Sequence, residues 1–120
     1  MIEIHMFDRS RAREPVAAGT DLFRVGDPGA CLFALVEGEF EVLIDGTVVE
    51  VLGPGTIVGE MAIIDHAPRS ATVRARTDGT VVAVDERQFL FLVNEHPTFA
   101  LQVMRTMAER LRNRSHTPIG

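Results

Sequence analysis

Gly59-Glu60-Met61-Ala62-Ile63-Ile64-Asp65-His66-Ala67-Pro68-Arg69-Ser70-Ala71-Thr72-Val73 is the stretch from which the rest of the chain can be read. Gly59 has no Cβ, so it admits positive φ and lets a ligand approach the backbone closely. Glu60, Met61 and Ala62 can open a single helical turn whose first N–H groups have no partner inside the turn and suit a phosphate. A carboxylate at Glu60 only accepts hydrogen bonds, so it fits a sugar hydroxyl and repels a phosphate. Pro68 restrains the chain before Arg69 and biases Ala67 towards extended geometry. Arg69 then offers a planar, permanently charged fork to two oxygens of an anion. One such charge-assisted bond contributes about 1.5–3 kcal/mol. Ser70 and Thr72 alternate with Ala71, which on a strand turns both hydroxyls to one face. A lone Gly-Glu or Pro-Arg pair reads as an ordinary ion pair in a turn-rich domain. The unbroken order of the whole set favours a site that reads a sugar with one half and a phosphate with the other.

The flanking sequence predicts the fold around this cassette. Glycines from Gly19 to Gly79 punctuate short runs rich in valine, leucine and phenylalanine, the spacing of a many-stranded antiparallel β domain. Leu32 to Val36 is one apolar run. Phe40, Val42 and Ile44 alternate with Glu39, Glu41 and Leu43, as on a half-buried strand. Asp45-Gly46 predicts a tight hairpin into Thr47–Leu52, and Gly53-Pro54-Gly55 breaks the sheet before the cassette. Strands resume at Ala71–Arg76 and Val81–Val84 across a turn at Asp78-Gly79.

After Val84 the period changes. Asp85 caps a short helix, with Gln88 completing a capping box, and Phe89, Leu90, Leu92 and Val93 are its apolar residues. Pro97 starts a second helix. Along Thr98–Asn113, Ala100, Val103, Met104, Met107, Ala108 and Leu111 recur at helical spacing on one predicted face, and Pro118 ends any continuation. The segment through Arg13 carries a weak signal for a helical turn.

The 120 residues suit one domain with a single core. No apolar run approaches the roughly 20 residues of a membrane span. Met1-Ile2-Glu3-Ile4-His5 lacks the pattern of a secretory signal. A single cysteine, Cys31, excludes an internal disulfide and reads as a small semi-buried apolar residue. Together these give a cytoplasmic expectation. A net charge of -5 argues against a general nucleic-acid binder. All 12 basic residues are arginine. Arg105, Arg110, Arg112 and Arg114 lie near the C-terminus and read as a solvated helical face, with a surface for a partner or an anion as the alternative.

The cassette closely resembles the phosphate-binding cassette of the cyclic nucleotide-binding domain family, which includes protein kinase A regulatory subunits and catabolite activator proteins. Ala18-Gly19-Thr20, Gly26-Asp27-Pro28-Gly29 and Val36-Glu37-Gly38 fall at that family's recurrent turns, so the resemblance covers about residues 14–114. It implies a mainly β fold, an eight-stranded β-roll (double-stranded jelly roll) over about 14–84. Two C-terminal helices follow over about 85–114. The resemblance also implies roles. The carboxylate matching Glu60 holds a ribose 2′-hydroxyl, and the arginine matching Arg69 holds a cyclic phosphate. Backbone N–H groups matching Met61, Ala62 and Ala71 assist. Threonine at the place of Ser70 goes with cGMP, because its hydroxyl can reach the guanine amino group. Serine leaves the base open, with a modest lean to cAMP. The ligand-binding set is therefore Gly59, Glu60, Met61, Ala62, Arg69, Ser70, Ala71 and Thr72. The second helix commonly serves as a lid over the base. Arg110 is its best-placed polar candidate, since an arginine plane stacks on a purine; a solvated charge is the alternative reading. Met104, Met107 and Leu111 read as packing residues or as the interface of a homodimer.

One departure concerns the output. Transcription-factor relatives carry a long dimerising helix and a helix-turn-helix domain, whereas only about six residues follow Arg114, too few for a recognition helix. The expectation is a stand-alone, non-enzymatic regulatory module with cAMP or cGMP as ligand and an effector in another chain. Its rival is a β-roll interaction module that senses another ligand or none. Cupin enzymes share a jelly roll but need clustered histidines. Here His5, His66, His96 and His116 are scattered, so no metal is expected. Gly53, Gly55 and Gly59 do not have dinucleotide-loop spacing, and no lysine is present for a phosphate loop.

Overall fold

The computed structural model describes the chain from Arg13 to His116, with side chains described as far as Arg112. The predicted N-terminal helical segment lies outside the described residues. Eight strands come first: β1 (Arg13–Val16), β2 (Asp21–Phe23), β3 (Cys31–Glu37), β4 (Phe40–Ile44), β5 (Thr47–Leu52), β6 (Ile57–Val58), β7 (Thr72–Ala75) and β8 (Gly79–Asp85). A four-residue helix α1 (Met61–Ile64) interrupts them, and α2 (Glu86–Glu95) and α3 (Thr98–His116) follow. The strands form two antiparallel four-stranded sheets, ordered β1-β8-β3-β6 and β2-β7-β4-β5. The mainly β, eight-stranded expectation with two C-terminal helices is met.

The core differs from the single one expected, because the first sheet is buried on both faces. Leu32, Ala34 and Val36 of β3 and Val82 and Val84 of β8 pack with Leu92, Phe99 and Val103 of the helices. Leu35 and Val81, on the other face, pack with Phe40, Leu52, Val73 and Ala75 between the sheets. Two buried faces explain why Leu32–Val36 reads as a continuous apolar run.

Local signals place most elements. Asp45 and Gly46 both have positive φ, 51° and 78°, as the hairpin turn requires. Asp85 accepts from Gln88 N at 2.8 Å and the Gln88 side chain accepts from Asp85 N at 3.0 Å, closing the predicted capping box. Two burial patterns depart from expectation. On β4, Phe40 and Leu43 are buried while Ile44 is 37 % exposed. The register slips between Val42 and Leu43, where Val49 is inserted in β5, and such a bulge re-aims the strand. On α3, Phe99, Val103 and the half-buried Met107 face inward, whereas Met104 is 59 % exposed, so the apolar residues occupy two faces and not one. On α2, Leu92 is buried, Phe89 and Val93 pack against the core, and Leu90 is exposed.

One ion-pair cluster braces the roll beside the cassette. Asp21 accepts from Arg24 Nε and Arg74 Nε, both at 2.8 Å. Hydrogen bonds from Arg24 and then Arg74 hold the Asp21 carboxyl below its ordinary range. Among the described residues no helix is long and apolar enough to cross a membrane.

Candidate functional site

The predicted helical turn forms as α1, with Glu60 at its N-cap. Glu60 has helical φ and ψ of -64° and -24°, and its side chain makes no cap bond. The carboxylate is therefore directed away from the turn it starts. Backbone bonds from Ala62 N to Gly59 O (3.2 Å) and from Ile63 N to Glu60 O (3.1 Å) tighten the turn. Ala62 and Ile63 anchor it by burial. Asp65 then accepts from Ala67 N at 3.0 Å, reversing the chain towards Pro68. His66, exposed at positive φ, lies 3.6 Å from Glu86.

Arg69 is fixed from both ends. Its N–H donates to Asp27 O at 2.9 Å and its carbonyl accepts from Gly26 N at 2.8 Å, so the Gly26–Asp27 turn clamps the backbone. Its guanidinium donates through Nη1 to Gly59 O (3.0 Å) and through Nη2 to Cys31 O (2.9 Å), and it lies 4.2 Å above the Phe23 ring. Two glycines make this pose available. A Cβ on Gly29 would stand 2.6 Å from Arg69 Cζ and Nε, and one on Gly59, whose φ is +77°, would strike Nη1. Arg69 Nε is buried with no hydrogen-bond partner. Burial pushes the thiol of half-buried Cys31 up, against the opposing Arg69 charge, which disfavours its thiolate.

Around these groups lies a cavity of about 270 Å³ between the cassette, the roll and α3. Gly59, Glu60, Met61, Ala62, Arg69, Ser70 and Ala71 all line it. Thr72, the remaining member of the predicted set, does not: its Oγ1 accepts from Val25 N at 3.1 Å and braces the neighbouring turn. Strand β7 begins only at Thr72, so the Ser70/Thr72 alternation expected from a longer strand is absent. Glu60 and Arg69 are the buried charged residues among those described, 4 % and 7 % exposed.

Helix α3 completes the cavity with Met107, Arg110 and Leu111. Arg110 Nη1 pairs with Glu60 Oε1, and Nη2 donates to Ile57 O at 2.7 Å. Arg110 is thus not a solvated charge; it lines the cavity and ties α3 to the cassette. Met107, Arg110 and Leu111 stand at i, i+3 and i+4, a spacing that puts them on one helical face. No comparable signal in the sequence ties Phe23 to Arg69. Two cationic groups, a buried carboxylate and an otherwise apolar wall (Val42, Val58, Met61, Met107) suit a small ligand carrying both an anion and hydroxyl groups. Among the described residues no three His, Cys, Asp or Glu side chains gather to hold a metal ion.

Comparison with known proteins agrees with this chemistry. A family model described as cyclic nucleotide-binding domain matches residues 13–96. A cyclic nucleotide-gated potassium channel of Mesorhizobium japonicum is 40 % identical over 100 residues, 83 % of this chain and 27 % of the channel. The catabolite activator protein of Thermus thermophilus superposes with a TM-score of 0.77 at 28 % identity, covering 88 % of this chain and 52 % of that one. An EAL enzyme solved in a cAMP-bound form superposes at 0.63 with 31 % identity, covering 86 % and 29 %. The chain spans about a quarter to a third of the length of the curated relatives it matches over most of its own.

Proposed function

We propose that this chain, which belongs to the cyclic nucleotide-binding domain family, is a regulatory module that binds cAMP or cGMP. In this reading residues 1–120 act as one binding unit, without catalysis, and binding is passed to a separate effector protein through the C-terminal helices. The observation that carries the reading is the presence of buried Glu60 and buried Arg69 on the wall of one cavity. Each Arg69 Nη group gives one N–H to a backbone carbonyl and keeps a second for a phosphate oxygen. Glu60 Oε1 takes Arg110, which leaves Oε2 as the acceptor for a ribose hydroxyl. Gly59, Met61, Ala62 and Ala71 bring backbone to the ligand. Ser70, exposed on the cavity wall, stands nearest the question of the base. The EAL relative was solved with cAMP and with cGMP, so both belong in the first experiment.

That experiment is thermal unfolding with cAMP, cGMP and the linear 5′-monophosphates. At about 100 times Kd a ligand adds roughly 2.7 kcal/mol to stability, so a cyclic nucleotide at saturation raises Tm by several degrees. No shift with either one at millimolar concentration would overturn the reading.

The glycines around Arg69 give a sharper result. Gly29 is not at positive φ, yet a Cβ there meets the guanidinium. Gly29→Ala is therefore expected to push Arg69 aside and weaken cyclic nucleotide binding about 10-fold. Gly53→Ala, where a Cβ meets nothing within 4 Å, should leave affinity unchanged. Calorimetric titration of the two variants checks both expectations.

The exposed side of α3 supports a second feature, a homodimer. Leu101 and Met104 are 45 and 59 % exposed. With Ala108 they repeat at three and four residues, the pattern of a helix seam with a second copy of the same helix. Sedimentation with and without nucleotide tests whether that seam forms and whether the ligand controls it. In the cell this module is expected in the cytoplasm.

A further inference from the structure

We infer that Phe23, backed by Phe33, is the positioning residue for Arg69, fixing the plane of its guanidinium so that the cation meets a phosphate already oriented. The inference rests on the cyclic nucleotide reading of the cavity.

Phe23 ends β2, where the pairing with β7 slips between Asp21 and Phe23, an irregularity that re-aims the residue after it. Its ring lines the cavity and lies parallel enough to Phe33 to stack, at 6.0 Å between centroids and 25° between planes. Arg69 Cζ sits 4.2 Å from the Phe23 centroid and 5.7 Å from that of Phe33.

The other surroundings of the guanidinium cannot perform this role. Gly29 and Gly59 supply only bare backbone. The carbonyls of Gly59 and Cys31 accept from the two Nη groups and fix the fork within its own plane. Acceptors lying in that plane do not choose which face of the guanidinium is covered. The aromatic face does, because its negative quadrupole attracts the cation and its flatness matches it. With one face covered and one N–H of each Nη group held, the second N–H of each Nη has a defined direction. A long arginine otherwise loses considerable side-chain entropy on meeting a ligand, and here that ordering is complete beforehand.

A plain packing role predicts something different. Phe23 also touches the inter-sheet core, and leucine would serve there nearly as well as an aromatic ring. The test uses the full chain with Phe23→Leu and Phe23→Tyr. Without ligand, the Arg69 side-chain N–H resonance, assigned by its loss in Arg69→Lys, should be shifted upfield by the ring in wild type and in Phe23→Tyr. That shift should vanish in Phe23→Leu. In calorimetric titrations with cAMP, Phe23→Leu should bind about 3- to 30-fold more weakly, the span of a cation–π contact. Phe23→Tyr should stay within about twofold of wild type, and in an Arg69→Ala background Phe23→Leu should change residual affinity less than twofold. If Phe23→Leu does not fold, Phe33→Leu should show a smaller loss of the same kind. Equal losses in the leucine and tyrosine variants, or wild-type affinity in Phe23→Leu, would overturn the inference. Failure of wild type to bind any cyclic nucleotide defeats the functional reading instead, and the ligand-free resonance still decides whether the ring seats the arginine.

Discussion

Replacing Arg69 with alanine is expected to weaken cAMP binding by about 100-fold or more. A charge-assisted hydrogen bond contributes roughly 1.5–3 kcal/mol, and a fork that meets two phosphate oxygens makes two of them. Losing about 3–4 kcal/mol corresponds to roughly 100- to 1,000-fold in Kd. Arg69→Lys keeps the charge but not the fork. One ammonium cannot reach both the Gly59 and Cys31 carbonyls while lying flat on Phe23, so an intermediate loss of about 10- to 30-fold is expected. Arg69 is also structural, because its donors satisfy two backbone carbonyls. The alanine variant should therefore melt lower, and its affinity must be measured well below its own Tm. Alanine and wild-type affinities within threefold of each other would remove Arg69 from the site.

Prediction from the sequence succeeded where the signal was local and failed where the contact was distant. The Asp45-Gly46 turn and the Asp85/Gln88 capping box are set by residues within one turn of each other, and the structure forms both. The cassette was legible for a similar reason. Gly59, Glu60 and Arg69 lie on a continuous segment whose backbone demands are written into glycine and proline. Alternation turns the Ser70 and Thr72 hydroxyls to one face only on a strand that holds both, whereas β7 begins at Thr72 and its hydroxyl accepts from Val25 N on the neighbouring turn. Adjacent helical residues diverge by about 100°, so Met104 does not share a face with Val103, which points to the roll with Phe99 and Met107. Phe23 and the Glu60–Arg110 pair depend on tertiary packing between distant segments, and neither has a sequence period to reveal it.

That pair gives the second large effect, on the helix and not on the phosphate. Glu60 has 5 % of its side chain exposed and Arg110 has 28 %. Breaking a buried pair from one side leaves the other charge without compensation, at a cost of about 3–5 kcal/mol for full burial. Partial exposure of Arg110 lowers this, so Arg110→Met is expected to destabilise the protein by about 2–3 kcal/mol. Adding Glu60→Gln should recover much of the loss, because the buried charge is then gone; failure of that rescue would show that Arg110 acts through Ile57 O or by packing. Hydrogen exchange separates the global from the local consequence. Arg110 is a polar tie between α3 and the cassette, so amides of α3 around Met107 should lose protection more than those of β3 and β8. A ligand changes an equilibrium only through its differential affinity for the two states. If nucleotide binding draws α3 onto the cavity, saturating cAMP should restore α3 protection in Arg110→Met through the phosphate and the apolar wall. Unchanged α3 exchange on adding cAMP, in wild type and variant alike, would separate this helix from the signal.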